Sequence, residues 1–144
     1  MEKSYITLEE YNAYRSKIYN EDLSKQEWKT IDERDKMLEN LKEMYKRIMP
    51  EVGMPATAIY WSDRRAKTVT EVVTPNKVIV RENEVECIDY FKGSYKILEE
   101  LSQMSPRTFT RRKSGRWVEM GQRDDRNSVI LVLGYRDHYI DPSF

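Results

Sequence analysis

The chain has 144 residues but only one cysteine and one histidine. A single cysteine excludes an internal disulfide and fits a reducing cytosol, and Cys87 reads first as a small core residue. Its sequence neighbours Glu86 and Asp89 would raise a thiol pKa, so it makes a poor nucleophile. A single histidine argues against a hydrolase triad or a His-rich metal site. His138 stands near Asp137 and Asp141, a conceivable metal set, but it reads more simply as a surface group at a strand end. Glycine is scarce, five in all, and neither G-x-x-x-x-G-K-[ST] nor G-x-G-x-x-G occurs, so no standard phosphate loop is present. No apolar run reaches roughly 18 residues, so no membrane-spanning helix is expected. The N-terminal MEKSYITLEEYNAY is charged at once and has no apolar h-region, so no signal peptide is expected and the protein should be cytoplasmic.

Net charge is lacking too: 25 basic side chains balance 25 acidic ones. A general nucleic-acid coat protein needs a cationic excess to release counterions, so no long nucleic acid is expected as partner. Paired carboxylates such as Asp124-Asp125 are flanked by Arg123 and Arg126 and read as a solvated loop. Nothing here calls for an enzyme, a cofactor or a metal. A protein of this length suits one domain with a small appendage and needs no covalent staple.

The charge that is present is unevenly placed. Residues 106–144 carry 8 basic and 5 acidic groups, and seven of those eight are arginine. Arginine favours planar, bidentate recognition of phosphate or carboxylate, or stacking on a ring. The densest stretch is FTRRKSGRWVEMG, residues 109–121.

The first third reads as helical. Thr7 and Glu10 form a capping box before a helix carrying Leu8, Tyr11, Tyr14 and Ile18, with its exit at Asn20-Glu21-Asp22. Ser24 and Glu27 form a second box before a stripe of Trp28, Ile31, Leu38, Leu41, Tyr45 and Ile48, close to heptad spacing and ended by Pro50. Together these predict an antiparallel helical hairpin over residues 1–50. Its apolar stripe must cover something, and a second copy of the chain is the favoured partner.

From residue 51 onward β-branched and aromatic residues dominate. Strands are expected at 57–61, 66–74, 77–82, 107–113, 116–120 and 128–134, with turns at 62–65, Pro75-Asn76 and a two-residue Ser114-Gly115. Residues 83–106 fit either a short helix or a strand running into a loop, and 135–144 a last strand or an ordered tail. The strand at 128–134 is the most apolar and is placed at the sheet centre. The fold class is therefore α+β: the helical hairpin, an oligomerisation arm, then a ligand-binding core at 51–144 built as a small antiparallel sheet or open barrel.

Three Arg-aromatic clusters recur in that core. Arg107, Phe109 and Arg111 alternate on one strand face, followed by Arg112 and, across the turn, Arg116. Asp63-Arg64-Arg65 follows Tyr60-Trp61, and Tyr135-Arg136-Asp137 follows the apolar strand. Rings stack a base and arginines pair phosphates, so Asp63, Arg64, Phe109, Arg111, Arg112, Arg116 and Arg136 are the candidate ligand-binding residues. Against this, Trp61 and Trp117 read first as core residues, and Arg64 and Arg136 each stand beside an Asp that would serve as a salt-bridge partner.

The β-region resembles a family of small phage proteins. The likeness runs through Val52-Gly53-Met54, Ala56-Thr57, Trp61-Ser62-Asp63-Arg64, Ala66, Thr68-Val69 and Glu71-Val72. It resumes at Phe109-Thr110, Arg112-Lys113 and Gly115-Arg116-Trp117-Val118, and ends with Gly134, Arg136, Tyr139, Asp141, Ser143 and Phe144. Pro55 departs from it where glycine is expected, residues 83–106 lack an Asn/Asp-Gly-rich loop, and the helical hairpin is an extension. The family is the first type of Thoeris anti-defense (Tad) proteins. The resemblance implies a non-enzymatic sponge in the host bacterial cytoplasm. It would bind the cyclic ADP-ribose isomer made by TIR-domain enzymes and keep it from its effector. It also implies dimers or higher oligomers, up to a hexamer, with signal pockets between protomers, and cyclic oligonucleotides as further ligands. The readings that compete with it are a small nucleic-acid-binding β-domain and a protein–protein adaptor with a helical dimerisation arm.

Overall fold

The computed structural model describes residues 5–19 and 31–141. The expected Asn20-Glu21-Asp22 exit, the Ser24/Glu27 capping box, Trp28, Ser143 and Phe144 lie outside them. The chain forms two compact units, residues 1–49 and 50–144. No helix among the described residues is long and apolar enough to cross a membrane.

The first unit holds α1 (Leu8–Tyr19) and α2 (Ile31–Tyr45). The Thr7 hydroxyl accepts the Glu10 N–H at 3.0 Å, which is the N-cap half of the predicted capping box, while the Glu10 carboxylate accepts the Thr7 hydroxyl at 3.3 Å in place of the backbone N–H that a full box would use. Ile18 and Leu41 are buried, the rings of Tyr11 and Tyr45 meet edge to face at 5.7 Å, and the Asn40 amide donates to the Tyr14 hydroxyl at 3.5 Å. A parallel bridge between Ile6 and Ile48, both buried, ties the segments outside the helices together.

The second unit has β1 (Pro55–Ile59), β2 (Arg64–Thr74), β3 (Lys77–Asp89), β4 (Ser94–Leu101), β5 (Arg107–Arg111), β6 (Trp117–Glu119) and β7 (Ile130–Leu133). The strand order is β2-β1-β7-β6-β5-β3-β4, every pairing is antiparallel, and β2 also pairs with β3. That last pairing closes six strands into a barrel and leaves β4 beside the outer half of β3. The expected small sheet or open barrel is therefore a closed barrel, and β7 has no central place: it is one stave between β1 and β6. Two bulges in β2, after Val69 and after Val72, bend the strand enough to serve both neighbours.

The register fixes which residues face inward. Ala56, Ala58, Val69, Val78, Val80, Phe109, Trp117, Leu131 and Leu133 are all buried there. Ala58 pairs with Leu131, which pairs in turn with Trp117, so a small residue leaves room beside the largest ring. Each fully buried Val, Leu or Phe side chain contributes about 1.5–3 kcal/mol over its exposed state.

The expected Ser114-Gly115 turn is longer than two residues. The Gly115 N–H donates to the Arg112 carbonyl and the Arg112 N–H to the Arg116 carbonyl, each at 2.9 Å, with Gly115 at φ +88°. This is a β-turn followed by a left-handed glycine, the three-residue hairpin loop. Of the uncertain stretch 83–106, residues 83–89 extend β3 and residues 94–101 form β4. This hairpin leaves the barrel, which corrects the placement of Cys87: it is exposed, as are Glu86 and Ile88 beside it.

Residues 135–141 form an ordered strap across the outer face of β1 and β2. Arg64 and Tyr139 exchange backbone hydrogen bonds of 2.8 Å, and the buried Thr57 hydroxyl donates to the Tyr135 carbonyl while accepting the Asp137 N–H.

Candidate functional site

Pairing between strands places a charged layer above the apolar one. Ala58 pairs with Arg65, Ala56 with Lys67, Lys67 with Glu82, Val80 with Arg107, and Phe109 with Glu119. Paired residues on antiparallel strands share a face, so all these charges point into one end of the barrel. Two carboxylates order three cations there. Glu82 accepts Lys67 Nζ on one oxygen and Arg65 Nη1 on the other, both at 3.2 Å. Glu119 accepts Arg107 Nη1 at 3.2 Å, and its second oxygen is buried without a hydrogen-bond partner.

This end opens into a cavity of about 620 Å³ lined by Tyr60, Asp63, Arg65, Lys67, Met104, Ser105, Pro106 and Arg107. Its volume lies within the range of small-molecule sites. The lining carries three cations and one carboxylate, while Glu82 and Glu119 stand behind. Arg65 and Arg107 each spend one guanidinium nitrogen on those acids, which leaves the rest of each fork uncommitted. The Arg65 guanidinium lies 5.9 Å from the centre of the Tyr60 ring. Burial raises the Tyr60 phenol above its ordinary pKa; Arg107 pulls it back and Glu119 pushes it further up. Tyr60 is therefore a neutral O–H donor near pH 7. Burial lowers the pKa of Lys67, and Glu82 opposes that shift.

The sequence-predicted residues are dispersed around the barrel. Asp63 lines the cavity, and its carboxylate accepts the Asp141 N–H at 3.0 Å. Arg64 pairs with Asp137 at 3.0 Å on the strap. Phe109 is fully buried in the apolar layer and shows no ring face at the surface. Arg111 lies on the same inward face, but beyond Phe109 from the charged mouth. Its guanidinium covers Trp117 at 4.7 Å from a ring centroid and donates to the Pro75 carbonyl. Arg112 bonds the Thr110 hydroxyl and the Glu119 carbonyl, fixing the hairpin. Arg136 reaches Thr68 at 2.8 Å, the Lys67 carbonyl at 3.2 Å and Glu99 at 3.5 Å, an anchor for the strap. Arg116 pairs with Asp124 and lines a second groove of about 470 Å³ with Ile59, Tyr60, Trp61 and Arg126 among its walls.

Two tryptophans expected in the core part company. Trp117 is fully buried, whereas Trp61 is 82 % exposed at the rim of that groove. His138, expected at the surface, is buried: its Nδ1 accepts the Ala66 N–H at 3.2 Å and its ring meets Tyr95 edge to face at 4.9 Å. Both differences follow from the strap, which covers β2 and leaves the β1–β2 turn bare. Among the described residues no group of three or more His, Cys, Asp or Glu side chains is placed to hold a metal.

Arg65, Lys67 and Arg107 are the functional candidates that reading residue by residue missed as a set. Their signal was parity: 65, 67 and 69 on one strand, and 107 and 109 on another, share a face with strongly apolar residues, which marks an inward row ending in charge. Comparison with protein families, curated proteins and solved structures finds no match for this chain.

Proposed function

We propose that the protein captures a small anionic nucleotide in the charged mouth of the barrel and holds it without turning it over. The observation that carries this is the 620 Å³ cavity where Tyr60, Arg65, Lys67 and Arg107 converge above a closed apolar core. Guanidinium forks with spare N–H groups suit phosphate oxygens, and an aromatic wall suits a base. The phage-family resemblance gives the ligand class its most specific form, a cyclic ADP-ribose isomer produced as an immune signal. On this reading the protein is an anti-defense sponge in the bacterial cytoplasm, and the helical hairpin is its self-association arm. Capture needs donors and a ring but no general base, and Lys67, the most buried cation, is already committed to Glu82.

Native mass spectrometry of the protein exposed to the product of an activated TIR-domain enzyme tests this. A defined added mass, released unaltered by heat, supports a sponge. A chemically changed product identifies an enzyme, and no added mass rejects the proposal.

One observation favours a second reading. The bare Trp61 ring beside Arg116 and Arg126 forms a groove of the kind on which single-stranded bases stack. Affinity that grows with oligonucleotide length and falls steeply with salt would select it.

A further inference from the structure

Tyr60 stands just past the end of β1 and lines both hollows: the charged mouth, with Arg65, Lys67 and Arg107, and the groove that holds Trp61. We infer that the captured nucleotide carries two bases joined through phosphate, with the phosphates and one base in the mouth and the second base stacked outside on Trp61. This rests on nucleotide capture in the mouth and adds to it a second subsite and a ligand class.

Strand parity separates the two hollows. Ala58 is buried in the barrel interior and pairs with Leu131, which is buried there too. Their neighbours Ile59 and Ile130 pair on the other face of the same two strands, and both line the groove. The mouth is therefore inside the barrel and the groove on its outer wall. The rim between them is the turn after β1, where the Tyr60 N–H donates to the Asp63 carbonyl at 2.9 Å. Tyr60 and Trp61 are consecutive, with Cα atoms about 3.8 Å apart. A ligand passing from one hollow to the other crosses little more than the width of one residue.

The two hollows differ in what they offer. The mouth has three cations and a single ring, Tyr60, so it suits phosphates and one base. The groove has no acidic side chain in its lining, and its ring, Trp61, is almost fully exposed. Arg116 is held by Asp124 and the Asp125 carbonyl, while Arg126 is exposed and has no ion-pair partner among the described residues. A bare indole with a guanidinium beside it stacks any base, because every base has a π-face. A one-base nucleotide seated in the mouth leaves that indole bare. A second base on the same molecule reaches it as an intramolecular event, so each contact strengthens the other.

Calorimetric titration of the full-length chain with ADP-ribose and with diadenosine diphosphate tests this. The two probes share a pyrophosphate diester and one adenosine, and only the second carries a further base. Diadenosine diphosphate should bind at least roughly tenfold more tightly, about the worth of one stacked base. Trp61→Ala should remove most of that advantage and Trp61→Phe should keep most of it. Trp61 is bare, so its truncation opens no cavity in the core. Arg107→Ala should weaken both probes alike. Equal affinity for the two probes, or an advantage that survives Trp61→Ala, overturns the second subsite while capture in the mouth stands. Binding of neither probe overturns capture in the mouth and the second subsite with it.

Discussion

Glu82 holds two cations at once, and its replacement by alanine isolates both. Lys67 is the decisive one: its side chain is 3 % exposed, against 32 % for Arg65. Solvent screens part of the Arg65 pair, which therefore contributes little to the cost. A buried ion stripped of its partner costs about 3–5 kcal/mol. For a chain of this size that corresponds to a fall in Tm of roughly 10–15 °C. The pH dependence sharpens the test. Burial lowers the Lys67 pKa and Glu82 opposes this, so Glu82→Ala leaves burial unopposed. The folded-state pKa then lies further below the unfolded value. Between the two, the unfolded chain binds more protons, so stability rises with pH. Glu82→Ala should therefore be worst at neutral pH and recover part of its loss toward pH 10, and Lys67→Met in the same chain should restore most of it. Thermal melts followed by far-ultraviolet circular dichroism at several pH values supply the measurement. A loss under about 1 kcal/mol, flat with pH, would refute a buried Lys67 ammonium held by Glu82.

Other consequences follow from single positions. Burial lowers the His138 pKa, so the unfolded chain takes up the proton first, and stability should fall as pH drops below about 6.5. His138→Asn should flatten that limb of the stability profile measured by urea unfolding. Gly93 lies at φ +66°, and a Cβ there would sit 2.5 Å from the Tyr139 ring and 2.9 Å from the Ile140 carbonyl. Gly93→Ala should cost well over the roughly 1–2 kcal/mol of left-handed strain, while Gly121→Ala, at φ +94° in open space, should cost about that strain alone. Comparative melts of the two variants decide this. Arg107 is half exposed but its partner Glu119 is largely buried, so Arg107→Ala strips that carboxylate of its cation and should lower Tm by roughly 5–10 °C. At temperatures well below that Tm it should weaken nucleotide capture at least tenfold in calorimetric titration, roughly the worth of one charged hydrogen bond.

Much of the architecture could be read from local chemistry. Thr7 caps α1 because its hydroxyl, three residues before Glu10, satisfies a helix-end N–H, and the Glu10 carboxylate holds that hydroxyl in place. Pro75-Asn76 and Gly115 mark turns because of their backbone preferences. What stayed hidden depended on distant strands. Arg107, Phe109 and Arg111 were placed on one face, but only closure of β2 onto β3 turns that face inward, stacking Arg111 on Trp117 and putting Arg107 in the mouth. Residues 94–101 alternate too weakly to separate helix from strand, since β4 pairs along one edge only and its register with β3 is irregular between Ile97 and Leu101. Cys87 and His138 were misplaced for complementary reasons. The hairpin that carries Cys87 leaves the barrel, and the strap that carries His138 lies on it.

The most direct test of the central claim is calorimetric titration of the full-length protein with a cyclic ADP-ribose isomer, run in parallel on Arg107→Ala and Arg64→Ala. The account predicts stoichiometric binding by the natural chain, a large loss with Arg107→Ala at the mouth, and near-normal binding with Arg64→Ala, whose partner is Asp137 on the outer face. Loss with Arg64→Ala and none with Arg107→Ala would place the ligand outside the barrel and contradict the account.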